Sequence, residues 1–143
     1  MRARFLRFIL SICAIALVGA YAQAQVKLLV SPTTVRPDHP VNVTIVNGSA
    51  QDIRFCGILD ASYDNVGHPF FLERRTFLSW KPVQGADAVK QSSDVKLPHG
   101  EALGIVERPH TRGTFRYGLS YSSGNSCSQA PLQRAYSGSF KVR

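Results

Sequence analysis

Gly113-Thr114-Phe115-Arg116-Tyr117-Gly118-Leu119-Ser120-Tyr121 decides the fold. Phe115, Tyr117, Leu119 and Tyr121 alternate with Thr114, Arg116, Gly118 and Ser120, and a period of two sends successive side chains to opposite faces of an extended strand. Four large residues on one face must be removed from water, so the stretch predicts a core strand of a β-domain. Downstream, Ser122-Ser123-Gly124-Asn125 reads as a loop towards Cys127, and residues 135–142 read as one terminal strand ending at Phe140-Val142.

The upstream segments are of the same kind. Val95 and Leu97 precede the turn Pro98-His99-Gly100-Glu101, which hands over to a strand at Ala102–Val106. Val41, Val43 and Ile45 alternate with Asn42, Thr44 and Val46, and Asn47-Gly48-Ser49 closes that strand with a turn signal. Ile53 and Phe55 share the next apolar face, with Arg54 and Cys56 on the other, and these two strands are expected to form a hairpin or a tight crossover. Val26–Val30 is a further short β-prone run stopped by Ser31-Pro32, while residues 57–69 and 82–93 carry turn and loop composition. Phe70–Trp80, FFLERRTFLSW, fits a helical stripe through Phe70, Arg74 and Phe77/Leu78 or two strand fragments; the short β-like neighbours favour strands. Short strands every 8–15 residues or so, with no convincing amphipathic helix, indicate a sandwich or barrel.

Three marks resemble the immunoglobulin-like domains of bacterial secreted and surface proteins: VNVTIVN-GSAQDI from Val41, LPHGEAL from Leu97, and Gly113-Thr114-Phe115-Arg116-Tyr117 with Ser139-Phe140-Lys141-Val142 closing the chain. The resemblance covers most of residues 26–143 and implies an all-β, immunoglobulin-like antiparallel β-sandwich. Two departures are visible. Phe115 stands where such domains commonly place a tyrosine two residues after the glycine, which removes a tyrosine-corner hydrogen bond at that position, and the cysteines fall outside the inter-sheet spacing of antibody domains.

Arg2, Arg4 and Arg7 precede thirteen uncharged, mainly apolar residues, Phe8–Ala20, and then Ala22-Gln23-Ala24. That is the charged start, apolar middle and small-x-small end of a secretory signal, and the run is short of the roughly 20 residues that span hydrocarbon. Residues 1–24 are therefore expected to be a signal peptide and residues 25–143 one domain, secreted or periplasmic, without a transmembrane anchor after cleavage. Lipidation at Cys13 is disfavoured by bulky Ile12. Cys56 and Cys127 then remain, and two thiols in an oxidising compartment imply one disulfide; closing a loop of some 72 residues is worth roughly 4 kcal/mol. Without the three leading arginines the chain keeps 14 of its 17 Lys and Arg against 9 Asp and Glu, a net +5. The arginines are dispersed along the chain rather than gathered in a stripe, which argues against a nucleic-acid partner.

No catalytic, cofactor or metal site is legible. Ser93-Asp94-Val95-Lys96 has the S-x-x-K form without its usual partner motifs, and it precedes a strand rather than a helix. His39, His68, His99 and His110 lie in loops beside prolines and would need to converge to hold copper or zinc. Asp60, Tyr63 and Asp64 suit a solvated turn better than a calcium site. The densest aromatic and basic cluster is Phe70, Phe71, Arg74, Arg75, Phe77 and Trp80. A small core is expected to claim most of its rings, leaving Phe71 and Arg75 facing out. Phe71, Arg74 and Arg75 are the candidate contacts for a protein or glycan partner. The expected function is a non-catalytic binding module; the alternative is a small metal-binding or hydrolytic enzyme using the loop histidines and carboxylates. Asn42 and Asn47 head N-x-S/T sequences.

Overall fold

Alternation of buried and exposed residues runs through the strands of the computed structural model, which describes residues 25–59, 66–67, 69–83 and 93–143. The signal-peptide segment 1–24, the turn residues Asp60, Tyr63 and Asp64, His68 and residues 84–92 lie outside them. The described strands are β1 (Val26–Ser31), β2 (Thr34–Val35), β3 (Val41–Asn47), β4 (Ile53–Leu59), β5 (Val66–Gly67), β6 (Phe70–Arg75), β7 (Trp80–Pro82), β8 (Ser93–Leu97), β9 (Ala102–Glu107), β10 (Gly113–Tyr121), β11 (Gln133–Tyr136) and β12 (Phe140–Val142). The fold is all-β and sandwich-like, with one sheet in the order β1-β3-β9, a second in the order β2-β12-β10-β6-β7 with β11 also on β10, and a third in the order β5-β4-β8.

β10 organises the largest sheet. β6 pairs with it antiparallel along residues 115–119, while the other edge is shared by β12 at residues 113–115 and β11 at residues 118–121. Its odd-numbered face packs into the core with Val43, Ile45, Phe55 and Phe140, all buried. Tyr117 stacks on Phe140 with centroids 5.1 Å apart and planes within 8°, and Phe115 lies 6.0 Å from the same ring.

Residues 135–142 form two strands where the sequence suggests one. At the break, Ser137 donates its backbone N–H to the Tyr117 carbonyl, while its hydroxyl accepts the Tyr117 N–H at 2.9 Å. A side chain thus replaces a carbonyl in the ladder, and Ser137 also bridges to Leu28 of β1. The diverted residue ties two sheets together.

β3 and β4 do not form a hairpin; they cross between sheets. β3 pairs with β9 and β4 with β8, so the two ladders are one antiparallel ribbon bent at residues 48–52 and 98–101. Asn47, fully buried, occupies the bend. Its Nδ2 donates to the carbonyls of Gln51, Leu97 and Pro98 at 2.9, 3.0 and 3.1 Å, and its Oδ1 accepts from the Ser49 N–H and hydroxyl. The facing turn needs Gly100, whose φ of 79° is left-handed. Asn47 is consequently closed to glycosylation in the folded chain, whereas Asn42 is exposed. Beyond the bend, Arg54 exchanges backbone hydrogen bonds with Ser122 at the end of β10. Cys56 and Cys127 follow, disulfide-bonded with Cα atoms 5.1 Å apart.

Phe115→Ala should destabilise the domain by about 3–5 kcal/mol, because it removes a fully buried ring from a packed stack; denaturant titration measures it. A second expectation concerns alkali. Burial pushes the Tyr117 and Tyr121 phenols above their ordinary value, and the charge of Glu107 pushes Tyr117 further. The unfolded chain releases these protons near pH 10 while the fold retains them. Their stabilising effect is therefore complete below about pH 10 and is lost as the pH rises beyond it. Phenolate absorbance should rise together with loss of the strand circular dichroism, and Tyr117→Phe should move that transition to higher pH relative to its stability at neutral pH.

Candidate partner-binding face

The face of β10 that does not enter the core carries Arg116 and Gly118, and its register with β6 sets Glu73 opposite Arg116 and Phe71 opposite Gly118. Period two keeps Phe71, Glu73 and Arg75 on this outer face. β7 adds Trp80 opposite Arg75, and β11 adds Tyr136 opposite Gly118 and Arg134 opposite Ser120. Side chains from four adjacent strands therefore share one surface.

Their geometry is an alternating stack of guanidinium groups and rings. The Arg116 guanidinium lies 4.6 Å from the Trp80 centroid and 4.1 Å from that of Tyr136, while its Nε and Nη2 both donate to Glu73 Oε2 at 2.6 Å. The stack continues outward through Arg75, 5.4 Å from Trp80. On the other side Phe71 meets Tyr136 edge-on with centroids 5.8 Å apart, and Arg134 lies 5.6 Å from Phe71. Gly118 permits the arrangement, since a Cβ there would meet the Phe71 ring at 2.1 Å. The inner members are saturated: Arg116 and Glu73 are 24% and 14% exposed and satisfy each other. Arg75, Arg134 and Tyr136 remain exposed at the margins.

The structure brings Phe71 and Arg75 of the candidate contacts together on this face and separates Arg74 from them. Arg74 projects from the opposite face of β6, exposed, with its guanidinium 6.0 Å from the Phe115 centroid. Of the remaining cluster, Phe70 packs against the core. Trp80 stands on the outer face and Phe77 is solvent-exposed, so the expected burial of most of these rings does not occur: β6 and β7 form a hairpin whose tip extends beyond the core. Arg116, Arg134 and Tyr136 were not singled out by sequence. Arg116 was legible as the charged partner in the β10 alternation, but its stacking between Trp80 and Tyr136 depends on register across strands remote in sequence.

Among the described residues the other candidate chemistry is dispersed. His39 and His110 lie at the end of the sandwich where β3 begins, His110 against Asp38, whereas His99 lies where β3 ends, against Ser49. Among the described residues no three His, Cys, Asp or Glu side chains gather as a metal-binding group. Ser93 and Lys96 fall on opposite faces of β8, because residues three apart in a strand diverge, and Lys96 pairs with Asp52 at 2.6 Å. That pair, with the His99 N–H donating to Asp52, holds the Asp52 carboxyl below its ordinary value. No protein-family model matches the chain, and no curated protein is significantly similar to it.

The stack separates structural from marginal members. Arg116→Ala should destabilise the domain by about 2–3 kcal/mol, since it strands a shielded carboxylate and removes two ring contacts. Arg75→Ala or Arg134→Ala should cost about 1 kcal/mol or less. Urea midpoints of the three variants test this order.

Proposed function

We propose that this chain is an exported, non-catalytic binding module of the immunoglobulin-like sandwich type, which holds a protein or glycan partner against the outer face of β7, β6, β10 and β11. The observation that carries the proposal is the guanidinium–aromatic stack on that face. The Arg116–Glu73 centre braces the sheet, whereas the exposed Arg75, Arg134 and Tyr136 around it add little to folding, and tyrosine, tryptophan and arginine around a closely packed centre are the composition of binding hot spots. The saturated Arg116–Glu73 centre acts as a rigid platform, and Phe71, Arg75, Arg134 and Tyr136 supply adaptable contacts at its margin.

The immunoglobulin-like assignment is supported by connectivity. The chain leaves the first sheet after β1 and enters the second as β2, which pairs parallel to the last strand, β12, while the late strand β10 lies between β12 and β6. Export is supported by the disulfide, a bond characteristic of oxidising compartments such as the periplasm or the cell exterior. The absence of turnover rests on the sequence, which offers no legible nucleophile and base pair.

Phe71→Ala combined with Arg75→Ala should leave folding nearly intact and weaken capture of the partner by about 1 kcal/mol or more. Pull-down from an envelope extract with wild-type and variant protein in parallel, followed by titration of the recovered species, measures this. Equal capture by both would dismiss the face as the binding surface.

A further inference from the structure

Phe77 and Leu78 form the tip of the β6–β7 hairpin and are 96% and 87% exposed. Single exposed apolar residues are ordinary on protein surfaces, but this pair is adjacent, at an extremity, and held there. The Thr76 N–H and hydroxyl donate to the Ser79 carbonyl at 2.8 and 2.9 Å, and the Ser79 N–H returns to Thr76 Oγ1 at 3.2 Å. The turn is closed by its own polar atoms, which leaves the two apolar side chains directed away from the domain.

The hairpin stem behind the tip is basic on both faces. Arg75 pairs across the strands with Trp80, and Arg74 with Lys81. The sheet registers bring more cations to this end. Arg112 precedes Gly113, whose partner Val142 precedes Arg143, and Val142 also pairs with Val35, which precedes Arg36. Arg36, Arg74, Arg75, Lys81, Arg112 and Arg143 are all exposed. Among the described residues, Asp38 contacts His110 at this end and Glu73 is taken by Arg116. At the opposite end Asp52 pairs with Lys96, and among the described residues six exposed cations gather at the hairpin end.

We propose that this end is a membrane-contacting surface that inserts Phe77 and Leu78 into the interface of an anionic phospholipid bilayer while the surrounding arginines and Lys81 engage the headgroups. Stable peripheral attachment takes two signals, an apolar insertion and a basic patch. Both are present here within one hairpin, with Trp80, a residue type that favours the interface, immediately behind the tip. A polyanion such as nucleic acid would use the basic residues but gives an exposed Phe-Leu tip nothing to do. The surface shares Arg75 and Trp80 with the partner-binding face proposed above, but Phe77, Leu78, Arg74 and Lys81, which the test alters, lie outside that face.

The test uses the mature protein with phosphatidylcholine vesicles, with and without phosphatidylglycerol. Trp80 is the single tryptophan of the chain and reports from beside the tip. Wild-type protein should sediment with the phosphatidylglycerol vesicles, release with added salt, and shift Trp80 emission to the blue. Phe77→Ser with Leu78→Ser, whose side chains contribute no core packing, should keep the wild-type circular dichroism and bind at least about tenfold more weakly. Arg74→Gln with Lys81→Gln should abolish the preference for phosphatidylglycerol. Binding of the tip variant equal to wild type would reduce the surface to a general polyanion site and overturn the proposal, as would failure of the wild-type protein to bind the anionic vesicles.

Discussion

The position of β10 between β6 on one edge and β11 and β12 on the other is the constraint on which the rest of this structure depends. Nine residues with a strict alternation serve two purposes that a strand separates geometrically. Phe115, Tyr117, Leu119 and Tyr121 anchor the core. Arg116 and Gly118, between them, position the Arg116–Glu73 pair and make room for Phe71. A slip of one residue would drive a guanidinium into the core and expose four large side chains, so the register that holds the fold together is also the register that builds the outer stack.

Asn47 has a comparable role at the bend of the β3–β4 and β8–β9 ribbon. A sharp bend frees backbone carbonyls at Gln51, Leu97 and Pro98 that would otherwise be paired along the ladder, and leaving such groups unpaired away from water is costly. One carboxamide donates to all three, joined by the Ser49 hydroxyl at Gln51 and the Glu101 N–H at Pro98. With the ribbon fixed there, β4 reaches the end of β10, and Cys56 comes within bonding distance of Cys127.

The fold was legible wherever local alternation decided it. The core sets of β3, β4 and β10, the Pro98–Glu101 turn and the disulfide all follow from short windows or from the count of cysteines. What was not legible depended on partners remote in sequence. Ser137 interrupts a strand because its hydroxyl meets Tyr117, twenty positions away. Asn47 reads as a glycosylation sequence because Ser49 follows it, while two of the carbonyls that bury its carboxamide, those of Leu97 and Pro98, lie about fifty residues away. The aromatic cluster from Phe70 to Trp80 was located, but its distribution was not: a composition argument about core size cannot tell that β6 extends past the core and turns at Phe77-Leu78. The dispersion of the arginines along the chain was likewise a poor guide to their dispersion in space, because Arg36, Arg74, Arg112 and Arg143 are carried to one end by three strand registers.

The stack and the hairpin tip are mechanically related. A two-stranded hairpin projecting from a sheet is flexible unless its stem is held, and isolated hairpins are marginal in water. Here the stem is held by the β6–β10 ladder as far as Arg74, on its outer face by Trp80, lying against Arg116, and on its other face by Arg74, lying near Phe115. Both contacts reach back to β10, so the hairpin is braced from two sides by a strand that is itself paired on both edges. Bracing of this kind lowers the ordering cost of any contact that the tip or the outer face makes, since the geometry required for binding is present beforehand. The stack thus extends the rigidity of β10 across the outer face of the sheet to the base of the hairpin tip.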